Sequence, residues 1–150
     1  MSARKLHAYT VALRMARVKE LRAQVALASA VEKETVAQEQ VNAVESARLS
    51  VAKASTTCVA DGQAMDIARY ELLTRLDAAL SHRLQLANDV LGDAAQQRID
   101  SASENVMAKR HRERVGEHLD GAELAWVQER AAKAQEESIE LWLESRGEAP

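Results

Sequence analysis

The 150-residue sequence carries 20 basic and 23 acidic side chains, a net charge of −3, and 47% hydrophobic but only 3% aromatic residues, with no Phe. About one residue in five is Ala, which forms helix well and buries little surface. This balance excludes a global field that would draw the chain to nucleic acid or anionic lipid, and it points to long helix or coiled coil rather than a core of large side chains.

Breakers are scarce. The one Pro is Pro150, and Gly occurs at positions 62, 92, 116, 121 and 147. The weakest helical stretch is Ser55-Thr-Thr-Cys58-Val-Ala-Asp61-Gly62. Its hydroxyl and carboxylate groups compete for backbone hydrogen bonds, and Asp-Gly is a turn dipeptide because Gly accepts positive φ without steric cost. The expected fold is therefore all-α, a single domain over residues 1–150. It is two very long helices in an antiparallel coiled-coil hairpin, with arms over 3–54 and 65–145 and a bend over 55–64. At 1.5 Å per residue, arms of about 50 residues predict a rod roughly 75–90 Å long. The single Cys58 forms no internal disulfide and fits a reducing compartment. The start, Met1-Ser-Ala-Arg-Lys-Leu-His7, has no apolar run, so no secretory signal is expected. No stretch reaches the roughly 18 uncharged apolar residues of a membrane span.

In the first arm, Val11, Val18 and Val25 recur every seven residues with Met15 and Leu21 between them, which reads as a helix–helix seam. A second run, Ala37, Val44, Val51 and Cys58 with Ala47 and Ala54, is out of phase with the first. The offset near Glu32–Val36 predicts a stutter, with Glu32, Lys33 and Glu34 as a solvated patch. Arg4, Lys5, Arg14, Arg17, Lys19 and Arg22 crowd the first third against Glu20 alone. Such a cluster is either a solvated face or a contact for an acidic partner.

In the second arm the heptad residues are Ile67, Leu73, Leu76, Leu80, Ala87, Val90 and Ala94, with Leu84 and Leu91 widening the stripe. Gly92 weakens the helix without ending it, and Gly116 and Gly121 loosen the region after the charge run Lys109-Arg-His-Arg-Glu-Arg114. Reflection about Gly62 sets Val51 near Leu73, Val44 near Leu80, Ala37 near Ala87 and Val18 near Val106. It also lays Arg14–Arg22 beside Ala102–Arg110, basic against basic. Residues beyond about 120 then lack a partner, which leaves Trp126, Ile139, Trp142 and Leu143 as an exposed apolar stretch suited to docking or to folding back.

Catalytic patterns are missing. His82, His111 and His118 have no Glu three residues before them, so no di-iron pattern exists despite Glu113 and Glu117 nearby. Cys58 has no Cys partner for zinc, and there is no glycine-rich phosphate loop. The reading is a protein without enzymatic activity, cofactor or metal. The basic residues are interspersed with Glu and lack an aromatic platform, which argues against nucleic acid.

The segment Ala122-Glu-Leu-Ala-Trp126-Val-Gln-Glu-Arg130-Ala-Ala-Lys133-Ala-Gln-Glu-Glu137 resembles the C-terminal signature of the YscO proteins of injectisomes and the FliJ proteins of flagella. That signature is a bulky residue, a charged run with Arg and Lys, then paired acids. The basic first arm is similar in character. The resemblance implies a cytoplasmic stalk, peripheral to the inner-membrane secretion apparatus and like the coiled coil of a rotary ATPase γ subunit. It would bind the hexameric export ATPase, the export-gate membrane protein and export chaperones, without inserting into the membrane. The ring-facing residues would be Arg14, Arg17, Arg22, Lys109, Arg110, Trp126 and Arg130. Val51, Tyr70, Leu73 and Leu76 near the bend would meet the gate or a chaperone. The rival classes are a coiled-coil chaperone or adaptor unrelated to an ATPase, and a self-associating rod.

Overall fold

A computed structural model describes residues 3–60 and 66–147. It contains two helices, α1 (Ala3–Ala60, 58 residues) and α2 (Ile67–Gly147, 81 residues), with no strand among the described residues. The fold is an all-α helical hairpin whose two helices pack against each other. The expected turn at Asp61-Gly62 lies outside the described residues.

The Ser/Thr run does not start the bend at residue 55, because α1 continues through it to Ala60. Thr56 and Thr57 donate their hydroxyls to the carbonyls of Ala52 and Lys53, so each competing group is satisfied within the helix. Thr10, Thr35, Ser50 and Thr74 do the same one turn back. Helix α2 opens on an Asp cap: Asp66 accepts the backbone N–H of Arg69 at its carboxylate and that of Tyr70 at its carbonyl.

The chain divides into two compact units, each holding a length of both helices: Gln24–Ser103, and Met1–Ala23 with Glu104–Pro150. In the first, Arg48 meets Asp77 and Glu34 meets Arg98. In the second, Glu20 meets Arg112, and Leu13 Cδ1 lies 3.9 Å from where a Cβ on Gly116 would stand. Within each unit, positions falling along α1 meet positions rising along α2, which makes the pairing antiparallel.

The second expected run of α1, Ala37, Val44, Val51 and Cys58, lies in the seam, but in the first half of the helix the seam follows a different line from Val11, Val18 and Val25. In α1 the covered positions step by three and four without interruption: Leu13, Ala16, Glu20, Ala23, Leu27, Ala30, Glu34, Ala37, Val41, Val44, Arg48, Val51, Ser55, Cys58. Val11, Met15, Val18, Leu21 and Val25 lie outside it, Val25 being 70% exposed and Met15 59%. The stutter at Glu32–Val36 does not exist, and Glu34 sits in the seam rather than in a solvated patch. The physical reason is size. Small side chains at Ala16, Ala23, Ala30 and Ala37 leave room for α2 along this stretch, while Val41, Val44 and Val51 fill the seam nearer the bend. In α2 the matching line is Leu73, Asp77, Leu80, Leu84, Ala87, Leu91, Ala94, Arg98, Ser101, Asn105, Ala108, Arg112, Val115, Leu119, Ala122, Trp126. The leucines at 73, 80, 84 and 91 fall where their pattern places them, but Ile67, Leu76 and Val90 are exposed.

The register also shifts. Reflection about Gly62 would set Arg48 opposite Leu76, and it meets the next residue, Asp77; it would set Glu34 opposite Val90, yet Glu34 meets Arg98. Part of the difference is side-chain direction: helical side chains lean toward their own N-terminus, so a long Arg on α2 reaches back about a turn. Basic does not simply face basic either, since Glu20 lies inside the seam against Arg112.

Two measurements test this seam. Ala16, 1% exposed, has no room for a larger side chain, so Ala16→Leu costs about 1–3 kcal/mol in urea unfolding. Val25→Ala changes stability by less than about 0.5 kcal/mol, the reverse of what a valine seam requires. In double-mutant cycles, Glu20 with Arg112 (side chains 13% and 33% exposed) shows a coupling of about 1–2 kcal/mol. Arg48 with Asp77 (43% and 46%) shows only about 0.2–1 kcal/mol, because water screens it.

Candidate functional site

The unit built from Met1–Ala23 and Glu104–Pro150 holds most of the candidate residues. Arg14, Arg17 and Arg22 are exposed on α1, and Lys109 and Arg110 are exposed on α2. Arg14, Met15, Val18, Lys19 and Arg22 line a shallow hollow of about 300 Å³ on the outer surface of α1. None of Arg14, Arg17, Lys19 and Arg22 is held in an ion pair among the described residues. Their charge is therefore presented to solvent rather than spent within the fold.

Trp126 is the last covered position of the α2 seam. From Val127 to Gly147 every residue is exposed, so the unpartnered part of α2 begins at 127 rather than about 120; Leu119 and Ala122 are still buried. The unpartnered arm carries two copies of one local device. The guanidinium of Arg130 lies 4.7 Å over the Trp126 ring, and that of Arg146 lies 4.8 Å over Trp142. Each Arg stands four residues after its Trp, one turn along the helix, where the two side chains are neighbours. Such a contact contributes about 0.5–1 kcal/mol at an exposed site. Trp142 remains 55% exposed despite its Arg, and Ile139 and Leu143 beside it are exposed too.

The Gln24–Ser103 unit holds the bend-proximal candidates. Val51 is buried in the seam and Leu73 half-buried there, so neither presents a docking surface. Tyr70 and Leu76 are exposed. Two open hollows flank the seam in this unit. One, of about 650 Å³, is lined by Glu32, Lys33, Val36, Val90, Asp93 and Gln97 among others; the second, of about 520 Å³, by Arg48, Leu49, Asp77 and Leu84 among others. Both lie open to solvent.

Sequence reasoning missed the charged seam residues. Glu20, Glu34 and Arg48 recur every fourteen residues, two heptads, in the same row as Leu13, Leu27 and Val41. That spacing was the available signal. Arg112 Nε faces the Glu20 carboxylate but is not aligned for a hydrogen bond, and the Asn105 amide oxygen is buried without a partner among the described residues. His, Cys, Asp and Glu form no group of three or more with metal-holding geometry among the described residues. No described helix is long and apolar enough to cross a membrane.

No protein-family model, no curated protein and no solved structure matches the chain.

The exposure of the arm has a direct consequence. Since nothing in the same chain packs on residues past 130, ending the chain after Arg130 leaves the unfolding free energy of the monomer, measured at about 500 mM salt, within about 0.5 kcal/mol of the full chain. Single-Trp variants report the same boundary: acrylamide quenches Trp142 in Trp126→Phe more steeply than Trp126 in Trp142→Phe.

Proposed function

We propose that the chain is a non-enzymatic, cytoplasmic stalk component of a type III secretion apparatus that binds the hexameric export ATPase and links it to the export gate and to export chaperones. The observation that supports this reading is the exposed end of the hairpin. There α2 runs on past its last seam residue with two Trp–Arg contacts, beside Arg14, Arg17, Lys19 and Arg22 of α1, none of which is in an ion pair among the described residues. Exposed Trp and Arg are the residue types that dominate binding energy at protein interfaces. The likeness of Ala122–Glu137 to the YscO and FliJ signature supplies the identity of the partner.

In this reading Arg14, Arg17, Arg22, Lys109, Arg110, Trp126 and Arg130 meet acidic and apolar surface on the ATPase ring. At the bend, Tyr70 and Leu76 are the residues free to meet the gate or a chaperone, since Val51 and Leu73 lie in the seam. A long helical pair suits this task because its backbone is satisfied internally and its whole flank is open to partners.

The test is ATP hydrolysis by the cognate export ATPase with and without the chain. Addition of the chain raises the rate, and Arg14→Glu with Arg17→Glu and Lys109→Glu with Arg110→Glu each remove most of the increase. Since all four residues are exposed, circular dichroism of the variants stays unchanged. An ATPase that neither binds the chain nor responds to it removes the reading.

A further inference from the structure

Beyond Trp126 the seam row of α2 changes character. The same three-and-four stepping that carries Leu119, Ala122 and Trp126 continues through Glu129, Lys133, Glu136, Glu140 and Leu143. Glu137 and Glu144 stand beside this row. The side of α2 that binds α1 up to residue 126 is therefore acidic from there on. The opposite side of α1, facing away from the seam, carries Val11, Arg14, Met15, Val18, Leu21 and Arg22. It is basic, and it is the site of the hollow lined by Arg14, Met15, Val18, Lys19 and Arg22. Neither Glu136, Glu137, Glu140 and Glu144 nor Arg14, Arg17, Lys19 and Arg22 take part in an ion pair among the described residues.

The arm Val127–Gly147 spans 21 residues, long enough to run beside the α1 stretch that carries Val11 through Arg22. They cannot meet within one chain. Helix α2 is continuous through the arm, so its acidic side leads away from its own α1 and cannot fold back onto that helix's outer face. In a second copy turned end for end, the arm lies along the partner's α1, and the partner's arm lies along α1 of the first. The contact closes on itself under a two-fold axis, with both arms engaged and no surface left to propagate.

We propose that the acidic arm of α2 docks on the basic outer face of α1 in a second copy of this chain, forming a closed two-fold dimer held chiefly by charge complementarity. Glu136, Glu140 and Glu144 face Arg14, Lys19 and Arg22 across each of the two equivalent contacts, over the apolar floor of Val11, Met15 and Val18. The inference stands independently of the ATPase reading and is measured with no ATPase present.

Sedimentation of the full chain tests it. The wild type is a dimer at about 30 mM salt and dissociates toward monomer at about 500 mM, where the screening length shrinks severalfold. Glu136→Lys with Glu140→Lys and Glu144→Lys weakens the dimer by about tenfold or more, as does Arg14→Glu with Arg22→Glu. Mixing these two variants restores a mixed dimer, because each of its two contacts then joins opposite charges. A wild-type monomer at low salt, variants that dimerise as tightly as wild type, or a mixture that stays monomeric each overturns the proposal. Dimers that survive both reversals would assign self-association to the apolar side of the arm around Trp142 instead.

Discussion

A hairpin of two helices has a single line of contact, and every other property of this chain depends on what occupies that line. Here Ala recurs along it, at Ala16, Ala23, Ala30 and Ala37 of α1 and at Ala87, Ala94, Ala108 and Ala122 of α2. Buried area is worth about 25 cal/mol per Å², so an Ala row contributes little transfer free energy per residue. What it contributes is proximity, since small side chains let two backbones approach and gain dispersion contacts along their length. The cost is a weak sense of register, because one Ala row fits another equally well at each heptad. The polar residues in the seam supply the missing discrimination. Sliding the helices by two heptads so that Glu34 met Arg112 would take Arg48 from Asp77 to Leu91 and leave both its charge and that of Asp77 unpaired. Sliding the other way would bring Glu34 to Leu84. A single buried polar position can fix coiled-coil register at some cost in stability, and three ion pairs supply such positions between Glu20 and Arg48 of α1.

The helical content and the two-helix plan are legible in the sequence because so little in it breaks a helix. The α2 seam is legible as far as Leu91 for a similar reason: its rows are marked by Leu, the largest apolar residues available. The first half of α1 misleads because hydrophobicity and packing diverge there. Val11, Val18 and Val25 form the stronger heptad by polarity, while Ala16, Ala23 and Ala30 form the better one by shape. A reading that ranks positions by hydrophobicity selects the exposed row. The glycines mislead in a milder way. Gly92, Gly116 and Gly121 lie inside an unbroken α2, since a helical Gly costs only about 1 kcal/mol and neither neighbouring turn offers an alternative. Gly116 also has only ordinary room beside Leu13, so no close backbone approach requires it.

The candidate surfaces were legible as charge but not as geometry. Arg14, Arg17 and Arg22 are recognisable from the imbalance of the first third, yet their place on the outer face follows only once the seam runs through Ala16 and Glu20. The same correction removes Val51 from the list of surfaces, because its row is the seam. The exposed valines of α1 and the Trp-bearing arm of α2 are the apolar surfaces where a partner would gain most.

The arm itself poses a physical question, because a helix of this length standing alone in water is marginal. The instability of short helices lies mostly in nucleation, and α2 nucleates elsewhere, in the packed stretch ending at Trp126. Beyond that point each residue needs only propagation, which Ala131, Ala132 and Ala134 favour. The Trp126–Arg130 and Trp142–Arg146 contacts add support at one-turn spacing, and Ser145 donates to the Trp142 carbonyl near the end. The arm is thus ordered without being packed. Binding a disordered segment would spend interaction energy on ordering it, whereas a partner that meets this arm finds the backbone already fixed and loses mainly side-chain freedom. An unpaired helix of this kind is therefore a better ligand than the same sequence as a tail. Its stability derives from the seam that ends where it begins.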